Sequence, residues 1–253
     1  MKRSRNRARI LFDPRTEEPF RLSRTKLELF IDCPRCFYLD RRLGIERPSG
    51  PPFTLNITVD LLLKREFDQY RARGEAHPLM KKYGVDAVPF QHPELPTWRE
   101  NFRGIEVHHR ETNLIITGAI DDVWVKPSGE LIIVDYKATS TERTITLDDE
   151  WKQVYKRQME IYQWLFRRNG FRVSDTGYFV YVNADKGRAS FDSVLAFSTD
   201  VLPYTGNGDW VEPAILEAHR CLLQPEPPFH HPDCEWCRYR QVALHPVAVP
   251  RRS

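Results

Sequence analysis

The run Leu131-Ile132-Ile133-Val134 passes without a break into Asp135-Tyr136-Lys137, and no other feature limits the fold of this chain so strongly. A continuous apolar run marks a strand covered on both faces, as in the middle of an α/β sheet. An acid and a lysine at its end start half inside the protein, where an unpartnered charge is costly and a divalent cation is a natural companion. Upstream, Ala119-Ile120-Asp121-Asp122-Val123-Trp124-Val125 predicts a second strand, and Lys126-Pro127-Ser128-Gly129 supplies the turn between the two. Asp121 and Asp135 each lie seven residues from Ser128. A symmetric hairpin sets them opposite one another, about 5 Å apart at Cβ. Lys137, two residues beyond Asp135, shares its face. A one-residue slip at the turn would destroy this arrangement.

Helical spacing flanks the hairpin on both sides. Ser23 can cap a helix carrying Leu27, Phe30 and Ile31, and the break at Cys33-Pro34 predicts two helical pieces or one kinked helix. Asn56 can cap a second helix with Val59, Leu62, Leu63, Phe67 and Tyr70. Residues 74 to 104 show little periodicity and read as irregular. A helix is expected from Trp151 to Arg168, stopped by Asn169-Gly170, with strands near 177 to 182 and 190 to 197. A last helix near 211 to 223 leads into a proline-rich segment before Cys234. The expected fold is α/β, a central mixed sheet flanked by helices. Its expected organisation is a basic tail over 1 to 20 and a single domain over 21 to 253. Within that domain, 105 to 200 hold the core sheet and helix, and 221 to 240 form a C-terminal cysteine segment.

Several motifs stand in a telling order. Gly118-Ala119-Ile120-Asp121 is a G-x-x-D, Val134-Asp135-Tyr136-Lys137-Ala138-Thr139 is close to V-D-Y-K-T, and Gln158 with Tyr162 makes Q-x-x-x-Y. Ser23, Leu27, Phe30, Cys33 and Pro34 fit S-x-x-x-L-x-x-F-x-x-C-P. Together they resemble the RecB-like branch of the PD-(D/E)XK nuclease superfamily, including its cysteine-cluster-bearing CRISPR-adaptation and helicase-associated members. The resemblance implies hydrolysis of DNA phosphodiester bonds with Mg2+ or Mn2+, in repair, recombination or defence. DNA would be one partner, and a helicase or other repair or defence protein another. Asp121, Asp135, Lys137, Gln158 and Tyr162 would be catalytic, and Asp121, Asp135 and the Tyr136 carbonyl would hold the metal. Many relatives carry G-x-x-x-H on the helix before the sheet. Here Asn56 to Asp60 occupies that place, so Asp60 would be the helical ligand, with Glu66 competing. The departure also admits a catalytically silent nucleic-acid-binding module, or a structural subunit of a helicase or repair complex.

Cys33 and Cys36 form one C-x2-C, and Cys234 and Cys237 another. Four thiolates suit a tetrahedral zinc ion or a four-iron four-sulfur cluster, and either would join the chain's two ends. In the relatives one cysteine near the N-terminus joins three near the C-terminus. Cys33, Cys234 and Cys237 fit three of these places, Ala243 stands at the fourth, and Cys36 could supply the missing ligand. The resemblance leans towards iron–sulfur, with Zn2+ the alternative. Cys221 reads as a small buried residue.

With 41% hydrophobic and 29% charged residues, the composition is that of a globular domain rather than a disordered or membrane-spanning one. The basic start precedes no long apolar stretch, so a cytoplasmic protein without a membrane partner is expected. A net charge of +3 makes no global electrostatic case for nucleic acid, leaving any basic path local.

Overall fold

The computed structural model describes residues 11–51 and 53–244. In chain order it runs β1 (Phe20–Ser23), α1 (Arg24–Asp32), α2 (Pro34–Leu43), α3 (Thr54–Arg73), α4 (Pro78–Lys82), β2 (Val88–Pro89) and α5 (Leu95–Trp98). Then follow β3 (Ile105–His109), β4 (Leu114–Gly118), β5 (Asp122–Val125), β6 (Leu131–Thr139) and α6 (Gln153–Arg168), the last led in by a 3-10 turn over Glu150–Lys152. The chain ends with β7 (Thr176–Ala184), β8 (Phe197–Thr205), α7 (Val211–Leu223) and α8 (Glu235–Leu244). These elements form two compact units, one of Pro51–Val107 with Ile116–Val211, the other of Met1–Gly50, His108–Ile115 and Glu212–Ser253.

The larger unit holds a five-stranded sheet in the order β2-β5-β6-β7-β8. Only the β6–β7 pair is parallel, so the sheet is mixed, as expected. Helix α3 turns a stripe of Val59, Leu63 and Phe67 onto Trp124, Ile132, Val134, Tyr136, Val180 and Val182. The four-residue spacing of that stripe is why this segment is a helix packed on one face. Burying each of its large side chains stabilises the unit by about 1.5–3 kcal/mol. The turn closes as Lys126 and Glu130 pair and Gly129 takes a φ of 80°, which a side chain would resist.

Four details of this unit differ from the sequence expectations. Strand β5 begins at Asp122 rather than Ala119, because the Ile120 amide donates to the Trp98 carbonyl and leaves the ladder. Asn56 lies inside α3 instead of capping it, and its side-chain amide donates to the Ala138 carbonyl at 3.3 Å. The strand expected near 190 to 197 is found at Phe197–Thr205, since Asp192 and Ser193 adopt positive φ and turn the chain. Residues 74 to 104 carry α4, β2 and α5, elements too short to leave a periodic pattern.

In the smaller unit, α1 and α2 meet at Cys33, the break expected from Cys33-Pro34. Ser23 holds the N-cap position of α1, though its side chain makes no capping hydrogen bond. Lys26 joins α1 to Asp40 of α2 at 2.7 Å, and the Tyr38 hydroxyl donates to the Gln224 carbonyl at 3.0 Å. Of the expected basic tail, residues 1–10 lie outside the described residues. Phe12 is buried edge-on against Phe20 and His219. Helix α8 follows Cys234 where no helix was expected.

Candidate active site

Strands β5 and β6 pair as Asp122↔Val134, Val123↔Ile133, Trp124↔Ile132 and Val125↔Leu131, the register that centres the hairpin on Ser128. Asp121, just ahead of β5, thereby falls level with Asp135. Its Oδ2 accepts the Tyr136 amide at 2.9 Å, so the β6 backbone itself fixes the carboxylate. The Arg99 guanidinium fixes the backbone side, donating to the Asp121 carbonyl at 2.9 Å. From α3, Lys64 reaches Asp121 Oδ1 at 3.1 Å and Asp60 Oδ2 at 2.8 Å. Three elements thus bring Asp60, Lys64 and Asp121 together.

Asp135 is fully buried on β6 and ion-paired with Lys137. The Lys137 ammonium lies 4.5 Å from the centre of the Tyr155 ring and donates to Gln158 Oε1 at 3.4 Å. The Gln158 amide in turn donates to the Tyr162 hydroxyl at 3.1 Å. Gln158 and Tyr162 stand one turn apart on α6, so one helical face carries the relay. Gly118 explains how that helix comes so close. A Cβ there would meet the Tyr162 ring at 2.7 Å and Leu165 at 3.0 Å.

The electrostatics follow from this geometry. Burial and the neighbouring Asp121 charge push the Asp60 carboxyl above its ordinary range, although Lys64 opposes them. Burial also works against an ionised Asp121, but Lys64, Lys137 and the Tyr136 amide overcome it and hold its pKa down. Lys64 and Lys137 are both raised, their acidic neighbours outweighing desolvation. Two half-buried ammonium groups therefore face three carboxylates, which leaves one negative charge over when all are ionised. Hard oxygen donors of this kind suit a hard divalent cation.

Two acids fall outside the site. Glu66 accepts from His77 Nε2 at 2.8 Å, while His77 Nδ1 accepts the Leu79 amide and its ring stacks on Phe67. Glu66 steadies a histidine and is not brought to Asp121, because six residues on a helix carry it round to another face. Asp122, the first residue of β5, is engaged elsewhere. Its fully buried carboxylate meets Arg71 at 2.5 Å, Arg99 at 3.0 Å and the Tyr136 hydroxyl at 2.7 Å, a structural network.

Sequence reasoning missed Lys64 and Arg99. Lys64 carried a signal, since it stands at i+4 from Asp60 on the same face. Arg99 carried none, lying in a stretch without periodicity.

In the smaller unit, Cys33, Cys36, Cys234 and Cys237 are all buried, with sulfurs within 4.8 Å of one another. Among the described residues this is the one group of three or more His, Cys, Asp or Glu gathered so tightly. Burial works against ionisation of Cys33, but the Cys36 and His231 amides and neighbouring thiols bring it down to about 7. Cys221 donates to the Pro34 carbonyl at 3.8 Å, and burial pushes it up to about 11.

Fold and site together define an α/β protein with a carboxylate–lysine centre at the end of its central strands. The profile of the PD-(D/E)XK nuclease superfamily matches residues 56–242, and the chain belongs to that superfamily. A solved structure described as the crystal structure of SSO0001 aligns with 94% of this chain and 88% of its own, at 17% identity and a TM-score of 0.44. No curated protein matches the sequence. Among the described residues no helix is long and apolar enough to cross a membrane.

Proposed function

We propose that this protein is a RecB-like, Mg2+- or Mn2+-dependent deoxyribonuclease that hydrolyses phosphodiester bonds. The observation that carries the reading is the hairpin register, which sets Asp121 level with Asp135, the acid ion-paired with Lys137, while Lys64 ties Asp121 to Asp60. Asp60, Asp121 and Asp135 would hold the cation, with the Tyr136 backbone beside them. A divalent ion bound there supplies Lewis-acid stabilisation of phosphate charge and lowers the pKa of bound water. Lys137 keeps an ammonium beside the reacting phosphate. Gln158, Tyr162 and the Tyr155 face restrict where that ammonium sits, which is the preorganisation electrostatic catalysis requires. DNA as substrate, and a helicase or other repair or defence protein as partner, rest on the motif resemblance. Free, unbridged cysteines suit a reducing, cytoplasmic setting.

The test is incubation of labelled single- and double-stranded DNA with the purified protein in Mg2+, Mn2+ or EDTA. Asp121→Ala, Asp135→Ala and Lys137→Ala should each slow cleavage at least about 100-fold, roughly 2.7 kcal/mol of barrier. Full activity in Asp135→Ala would end the nuclease reading. Salt-sensitive DNA binding without cleavage would favour a silent binding module instead.

A further inference from the structure

The four cysteine sulfurs stand at distances that distinguish between metal centres. Cys33 Sγ lies 3.8 Å from Cys237 Sγ, and Cys36 Sγ lies 3.7 Å from Cys234 Sγ and 3.5 Å from Cys237 Sγ. A disulfide needs about 2.05 Å, so none of these pairs is bonded. With a zinc–sulfur bond of about 2.3 Å, a tetrahedron of thiolates has edges of about 3.8 Å. The observed separations are of that size. A four-iron four-sulfur cluster instead places a cube of eight atoms between its ligands. Sulfurs that all lie within 4.8 Å of one another leave no room for it.

The surroundings agree. Two C-x2-C pairs, one from each end of the chain, supply two ligands apiece, a pattern suited to one tetrahedral ion. Four thiolates around one dication carry a net charge of −2, which buried sulfurs cannot shed to solvent. Arg47 offsets part of that charge. Its guanidinium donates to Cys234 Sγ at 3.4 Å and is itself held by Asp32 at 2.5 Å.

We infer that Cys33, Cys36, Cys234 and Cys237 hold one zinc ion rather than a four-iron four-sulfur cluster, and that Arg47 is the positioning residue that steadies its thiolates. This centre stands independently of whether the chain cleaves DNA. The resemblance to cysteine-cluster nucleases leans the other way, and the spacing of the sulfurs outweighs it.

The full-length protein, purified anaerobically from cells supplied with both iron and zinc, decides the matter. The expected result is one zinc per chain, no stoichiometric iron, no acid-labile sulfide and no broad visible absorbance. Cobalt exchanged into the site should give the intense bands of a tetrahedral sulfur environment. Cys237→Ser should lose the zinc, and native mass spectrometry of the unaltered protein reads the same stoichiometry should that variant fail to fold. Arg47→Gln should retain the zinc but weaken its affinity about 10–100-fold in competition with a chelator, as loss of an outer-shell partner does. Unchanged affinity would remove Arg47 from this role. Four irons with sulfide, a single iron, or no stoichiometric metal would overturn the zinc assignment.

Discussion

Lys64 stands one turn beyond Asp60 and contacts both Asp60 and Asp121, the two carboxylates a divalent ion would need. An ammonium and a cation compete for the same oxygens, so Lys64 should hold the metal-free site together and resist loading. Lys64→Met is expected to bind Mn2+ roughly tenfold more tightly, about 1.4 kcal/mol, and to be less stable without metal. Titration calorimetry reads the first and thermal melting in EDTA the second; weaker binding would show that Lys64 helps the metal instead. The same titration separates the two acids of α3. Asp60→Ala should weaken Mn2+ binding, whereas Glu66→Ala, engaged with His77, should not. Loss of binding in Glu66→Ala alone would reverse that assignment.

At the level of elements, the adjacent residues Asp121 and Asp122 divide two tasks at the start of one strand. Asp122 joins α3 through Arg71, the end of α5 through Arg99, and β6 through the Tyr136 hydroxyl. Removing one partner from a buried ion network leaves the others uncompensated. Asp122→Ala should therefore cost about 3–5 kcal/mol in urea unfolding, a loss of this kind being typical of broken buried pairs. Asp121→Ala should cost less stability than that while losing cleavage, because its carboxylate is partly exposed and Lys64 keeps Asp60 as a partner. A near-neutral Asp122→Ala would mean that the arginines find other partners.

For the molecule as a whole, connectivity is the issue. The smaller unit is assembled from three stretches of chain, and Cys33 and Cys237 lie 204 residues apart. Bringing such distant segments together costs closure entropy, which a metal clip removes from the unfolded state. Cys234→Ser is expected to lower Tm by roughly 5–10 °C, corresponding to about 2–3 kcal/mol for a chain of this size. Cys221→Ser, outside the sulfur cluster, should leave Tm and metal content unchanged. Equal melting of all three proteins would show that the cysteines carry no structural clip.

The sequence by itself determined the features set by local chemistry. The apolar run of β6, the turn at Ser128, the register that levels Asp121 with Asp135, and the helices α6 and α7 were all legible, because periodicity and turn residues act over a few positions. The two C-x2-C pairs marked, for the same reason, the four residues that gather into the sulfur cluster. Only the tertiary structure decided which charges meet. Lys64 bridging Asp60 to Asp121, Arg99 gripping the Asp121 backbone, Glu66 turned to His77 and Arg47 beside Cys234 each join residues from different elements. The sulfur spacing that separates zinc from a four-iron cluster belongs to the same class. A residue's identity states what bond it can make, but a buried charge takes the partner that packing places beside it, and packing is a property of the folded chain.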